Sequence, residues 1–167
     1  MRYQIASKWA FIEHFVITDD MGNPVIDVRG NLGLSQRLTL RDGSGRELAE
    51  IKKHLMTTKH DILVDGGMVA QVHHEGFFGD RYEIDSQYGR ISAKGNFSGW
   101  NYKIHQGGQV IATVSREFSL REKFQVEIYD NVNEVFLLAV VLTIDAIHNE
   151  RREQGNQGGG LFGGNFP

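Results

Sequence analysis

The chain has 167 residues, with 20 Gly, 2 Pro, no Cys and a formal charge of −3. That length suits one domain burying roughly 70% of its unfolded surface. The lack of Cys excludes disulfides, thiolate zinc sites, cysteine nucleophiles and palmitoyl anchors, and the weak negative charge argues against a general nucleic-acid binder.

Met1 to Phe15 does not read as a signal peptide, because Lys8, Glu13 and His14 interrupt any apolar stretch and no small-residue cleavage pattern follows. The expectation is an intracellular, cytoplasmic protein. Glycines then set a rhythm: Gly22, Gly45, Gly67, Gly89 and Gly108 are separated by 23, 22, 22 and 19 residues. Each lies in a cluster of turn-forming residues such as Asp19-Asp20-Met21-Gly22-Asn23 or Asp42-Gly43-Ser44-Gly45. Asp, Asn and Gly supply the positive φ and the local side-chain bonds that hairpin turns need. An apolar-x-apolar pair precedes each turn, from Phe15/Ile17 to Tyr102/Ile104, and another follows it, as in Ile26/Val28 and Ala112/Val114. Such alternation marks strands with one buried face. The predicted strands are 2–7, 14–19, 24–30, 36–42, 47–55, 60–65, 68–74, 80–86, 90–97, 100–106, 109–117 and 123–130.

A different pattern opens at Asp130. Asn131 is the expected N-cap, with Glu134 reaching back in a capping box. The helix predicted over 132–148 is apolar on every face through Val135 to Ile144, so it must be buried all round. Its ten-residue apolar run is half of what a bilayer span needs, so no transmembrane segment is expected. A closed sheet of about twelve strands leaves a hole near a helix in diameter, whereas about eight strands fill their own interior. Small residues after the turns (Ala49, Ala70, Ala93, Gly95, Ala112) read as room for that helix. The expected fold is therefore all-β with one helix: an antiparallel closed barrel of about twelve strands enclosing a C-terminal apolar helix. It occupies residues 1–150, and the Gly-rich segment 151–167 is expected to be a disordered tail whose Leu161, Phe162 and Phe166 could dock on a partner.

Several stretches resemble the LURP-one-related family: Val25-Ile-Asp-Val-Arg-Gly30, Glu47-Leu-Ala-Glu-Ile-Lys-Lys53, Trp100-Asn-Tyr-Lys-Ile104, Val110-Ile-Ala-Thr-Val-Ser115, and the closing Ile144-Asp-Ala-Ile-His148. The resemblance covers about residues 2–150. It implies the tubby C-terminal-like fold, a twelve-stranded barrel around a central C-terminal helix, and carries no enzymatic activity. Broader relatives include the tubby domains, which bind phosphoinositides, and the phospholipid scramblases. Against a scramblase analogy, this chain has no Cys-rich palmitoylation segment, and no acidic loop with calcium-site spacing follows its helix.

Sites are sparse. Of seven histidines, His73 and His74 point to opposite strand faces, His54 and His60 flank one turn, and no HExxH spacing occurs. Neither Gly43-Ser44-Gly45 nor the Gly95–Gly99 stretch around Ser98 has G-x-S-x-G spacing, so no catalytic or metal residue and no cofactor is assigned. Asp145, set in the apolar helix, needs a partner and is read as a structural anchor to strand-edge amides or an arginine. Lys52 and Lys53 form one basic group; Arg116, Arg121 and Lys123 form another. These five are the candidates for an anionic head group. The expected function is a non-enzymatic binding or scaffold module, cytoplasmic and peripheral to the inner membrane face, with anionic lipid or a protein as partner. A scramblase-like membrane-associated protein, a carrier of an apolar ligand in the barrel lumen and a hydrolase are the alternatives.

Overall fold

The computed structural model describes residues 1–33, 35–76, 81–116, 122–129 and 132–165, with the side chains of 154 and 156–165 outside the description. Twelve strands precede one helix: β1 (Arg2–Ala6), β2 (His14–Asp19), β3 (Pro24–Asn31), β4 (Arg37–Arg41), β5 (Glu47–Lys53), β6 (His60–Val64), β7 (Gly67–Glu75), β8 (Arg81–Ser86), β9 (Gly89–Asn96), β10 (Asn101–Gln106), β11 (Gln109–Arg116), β12 (Lys123–Ile128) and α1 (Glu134–Asn165). Their bounds match the predicted strands to within two residues. Each strand pairs antiparallel with its sequence neighbours, and β12 closes the ring on β1, from Arg2↔Glu127 to Ala6↔Lys123. The β1–β2 seam is short, with Tyr3↔Asp19 and Gln4↔Thr18 as its register pairs.

This topology gives the barrel two different ends. Connections from even to odd strands all fall at one end, the hairpin mouth, where the repeating glycine turns lie. Gly22, Gly45 and Gly89 have φ of 85°, 86° and 113°, and at the third turn Gly66 (77°) takes this conformation. Asp19 Oδ1 accepts the backbone N–H groups of Met21 and Asn23, and Asp42 Oδ1 those of Ser44 and Arg46. Hydrogen bonds, that from the Asn23 side chain foremost for Asp19 and from Ser44 for Asp42, hold both carboxyls below the usual carboxylate range. Odd-to-even connections form the loop mouth, which includes a 3-10 turn over Trp9–Phe11 that the strand alternation did not anticipate.

The helix enters through the hairpin mouth and leaves through the loop mouth. Residues Phe136 to Asp145 are all buried, and Leu137 to Leu142 have no exposed surface. At roughly 25 cal/mol per Å² of apolar surface, this burial is the main stabiliser of the helix–barrel unit. A lumen for an apolar ligand is therefore excluded by the helix that fills it, which removes the carrier reading. The cap differs from expectation: α1 starts at Glu134, and Asn133 is its N-cap, with Oδ1 accepting the Phe136 N–H at 3.0 Å. Asn131, the expected cap, lies outside the described residues. Glu134 does not reach back to a cap; it accepts the Tyr3 hydroxyl and so ties the helix start to β1.

The helix also runs on past 148 to Asn165. At about 1.5 Å per residue its 32 residues span about 48 Å, longer than the barrel. Its polar Glu150-Arg151-Arg152-Glu153 turn emerges at the loop mouth, where a helix needs no apolar face. Over the segment 151–167, where a disordered tail was expected, the backbone is helical through Asn165, while Phe166, Pro167 and the side chains of 154 and 156–165 lie outside the described residues. Ala49, Ala70, Ala93 and Ala112 are buried, but Gly95 is exposed and gives no room to the helix. Its φ is +143°, and a Cβ there would lie 2.6 Å from the Tyr102 Cα: Gly95 is required by the approach of β10.

Candidate functional site

The chemistry-bearing residues gather at the loop mouth. Asp145 is 4% exposed, and its Oδ1 accepts the Trp100 indole N–H at 2.9 Å while Oδ2 faces the Asn149 amide at 3.4 Å. Its partner is thus an indole, where strand amides or an arginine were expected. Burial pushes the carboxyl up to about 6; Trp100, Trp9 and Asn149 oppose that rise without cancelling it. Trp100 sits at φ 47° on the β9–β10 turn, a region that non-glycine residues rarely adopt. Its ring stacks on Phe124 at 5.7 Å, with Arg116 over it at 5.5 Å. The turn therefore pins the exit of the helix, and Arg116, a lipid candidate, lies on this platform.

Among the described residues, a nucleophile–base arrangement lies at the same turn. Ser98 Oγ is 2.9 Å from His148 Nε2, within the range such pairs require. The groups needed to complete a hydrolase are engaged elsewhere. Asp145, one turn before His148, is bonded to Trp100 and Asn149. The two backbone N–H groups after Ser98, which could cradle an oxyanion, bond Asn96 Oδ1 at 3.0 Å and the Phe97 carbonyl at 3.3 Å. The pair ties the turn to the helix. Among the described residues no group of three or more His, Asp or Glu is arranged to hold a metal ion. His73 bonds Glu75 on the outer face, while His74 packs edge-on against the buried Tyr82 ring.

The candidate basic residues split into two groups on opposite sides of the loop mouth. Lys52 and Lys53 end β5; Lys123 begins β12, five strands away around the ring, and Arg116 ends β11, six away. Arg121 lies outside the described residues. Lys53 is bonded to Glu150 of the helix. A pair not visible in the sequence stands between these groups: Lys94 on β9 lies directly opposite Lys103 on β10, with Arg81 of β8 next in register. Both lysines are exposed and have no acidic partner among the described residues. Two like charges facing each other across strands are unfavourable without an anion between them.

All seven lysines of the chain fall in the barrel half toward the loop mouth, whereas Asp19, Asp20, Asp42, Asp65 and Asp85 mark the hairpin mouth. Several acids of the lysine-bearing half are already paired: Glu50 with Arg37, Asp61 with His54, Glu83 with Arg81 and Glu150 with Lys53. Apolar side chains stand exposed on the same mouth. Phe11 is 71% exposed, Leu55 75% and Met56 93%. Between their loops lies a pocket of about 450 Å³, bounded by the 3-10 turn, the end of β3, the ends of β5 and β6, and the emerging helix.

A family model described as LURP-one-related matches residues 1–145. A search of curated proteins finds no match. Among solved structures, an X-ray structure of a protein from Arabidopsis thaliana is 20% identical with a TM-score of 0.66, covering 88% of this chain and 91% of that one. At this identity the likeness establishes the twelve-stranded barrel around a helix as a shared fold and carries no activity with it.

Proposed function

The chain belongs to the LURP-one-related family, and we propose that it is a non-enzymatic, cytoplasmic module that docks its loop mouth on an anionic phospholipid surface at the inner membrane face. The observation that carries this reading is the coincidence, at one end of the barrel, of the lysines with exposed Phe11, Leu55 and Met56. A planar anionic surface does not need converging cations; it needs a ring of them around apolar tips that enter the head-group layer, each Lys or Arg near the surface contributing about 1 kcal/mol. The split between Lys52/Lys53 and Arg116/Lys123 fits a plane better than a pocket. Lys94 and Lys103 add a place where one phosphate can bridge two ammonium groups. No helix among the described residues is long and apolar enough to cross a membrane.

Co-sedimentation with vesicles tests this. Binding to phosphatidylserine–phosphatidylcholine vesicles is expected to exceed binding to phosphatidylcholine alone and to fall as salt is raised. Replacing both Lys94 and Lys103 by Glu is expected to weaken it at least tenfold, and Leu55→Ser with Met56→Ser to weaken it further. Equal binding to the two vesicle types overturns the proposal. On the enzymatic side, a fluorophosphonate reporter is expected to leave Ser98 unlabelled under conditions that label a serine hydrolase to completion, because the neighbouring N–H groups are taken.

A further inference from the structure

We propose that the pocket at the loop mouth is a binding site for a small amphipathic amine, whose apolar body lies on the 3-10 turn and whose ammonium faces His60, Glu150 and Glu153. This site shares Lys53 and Phe11 with the proposed membrane surface, but its ligand chemistry does not rest on the membrane reading. Its volume, about 450 Å³, lies in the range of small-molecule sites. Part of the lining is apolar, made by Trp9, Phe11, Ile12 and Leu32; another part is polar, made by His60, Lys53 and the helix residues Asn149, Glu150 and Glu153.

The polar wall determines what the ligand must offer. His60 is 1% exposed, and its Nδ1 lies 3.0 Å from the Thr58 carbonyl oxygen, so Nδ1 carries the hydrogen. Nε2 is buried and has no hydrogen-bond partner among the described residues. Most buried polar side-chain atoms have a hydrogen-bond partner, and of the unpartnered ones His60 Nε2 belongs to a residue that lines this pocket. Burial, more than the nearby charges, holds the His60 imidazole below its ordinary pKa, so the ring is neutral and Nε2 is an acceptor awaiting a donor. Lys53 and Glu150 neutralise each other across the wall. Glu153 has no cationic partner among the described residues, which leaves the lining with a net negative charge. A wall with acceptors in surplus and one net negative charge selects a cationic donor over a carboxylate or phosphate. The exposure of Phe11 leaves an apolar surface for the rest of the molecule.

The test uses 4-phenylbutylamine as the probe, with 4-phenylbutan-1-ol and 4-phenylbutyrate of matched shape, added to the full chain and followed by NMR at the His60 ring nitrogens and the Leu32 and Ala146 methyl groups. The amine is expected to shift all three and to bind at least about tenfold more tightly than the butyrate. Glu153→Gln, an exposed substitution that leaves the core untouched, is expected to weaken the amine severalfold and leave the alcohol unchanged. His60→Phe, which removes the unpartnered acceptor together with the Nδ1–Thr58 bond, is expected to weaken the amine about tenfold. Butyrate or alcohol binding as tightly as the amine, an amine affinity indifferent to both substitutions, or shifts confined to residues outside the pocket each overturn the proposal. If His60→Phe does not fold, the Glu153→Gln comparison decides.

Discussion

Gly95→Ala is expected to destabilise the barrel by about 3–5 kcal/mol, whereas Gly45→Ala should cost about 1 kcal/mol. Both glycines have positive φ, +143° and +86°. At Gly45 an added Cβ meets nothing within 4 Å, so alanine there experiences only the unfavourable backbone conformation. At Gly95 the Cβ would lie 2.6 Å from the Tyr102 Cα and 2.7 Å from the Asn101 carbonyl oxygen. These are backbone atoms of the paired strand and cannot turn aside as a side chain would. The substitution must open the β9–β10 hairpin, which carries the Lys94–Lys103 pair, the Ser98–His148 bond and the Trp100 anchor. Urea denaturation of the two variants measures the difference. Equal losses would show that backbone conformation alone, and not the approach of β10, requires glycine at 95.

The contrast between these two positions shows what the sequence carries openly. Gly45 belongs to the Asp-Gly turn repeat, whose signal is local: an Asp side chain and a positive-φ residue within a few positions, flanked by alternating apolar pairs. Twelve strands are legible on that basis, and the helix because Val135 to Ile144 leaves no wet face. Gly95 was misread as room for the helix because its real neighbour, Tyr102, is set by strand register across the 97–100 turn. Lys94 and Lys103 were missed for the same reason: nine residues apart, they become opposite only in that register. The pocket is less legible still. His60, Leu32, Trp9 and Glu153 come from four separate segments brought together by ring closure and by the helix emerging at one mouth. The polarity of the lysines along the barrel axis could have been found from sequence, since strand parity alone assigns each lysine to an end.

Asp145→Asn is expected to stabilise the protein at pH 8 by about 3 kcal/mol and to flatten its stability between pH 4 and 6. The carboxyl moves from 3.8 to about 6 on folding, chiefly through burial, and each unit corresponds to about 1.4 kcal/mol. The sign follows from which state holds the proton. Below pH ~4 the carboxyl is protonated in both states, and it favours neither. Between pH ~4 and ~6 the unfolded chain ionises while the folded chain keeps its proton, so rising pH draws the equilibrium toward unfolding. Above pH ~6 both states are ionised, and the full penalty of a buried carboxylate remains. Asn keeps an oxygen for the Trp100 N–H and removes the charge, so that penalty vanishes. Trp100→Phe makes the opposite case. It removes the principal donor to the carboxylate, pushes the Asp145 carboxyl still higher, and should destabilise more at pH 8 than at pH 5. Combining the two substitutions separates charge from packing. With Asn at 145 the cost of Trp100→Phe should lose its pH dependence and keep only the lost hydrogen bond and the altered stacking on Phe124 and Arg116. Denaturation midpoints across pH 4–8 for the four proteins measure this. A wild-type curve that rises steadily from pH 4 to 8, with no change on Asp145→Asn, would show that the carboxylate is as well accommodated in the barrel as in water.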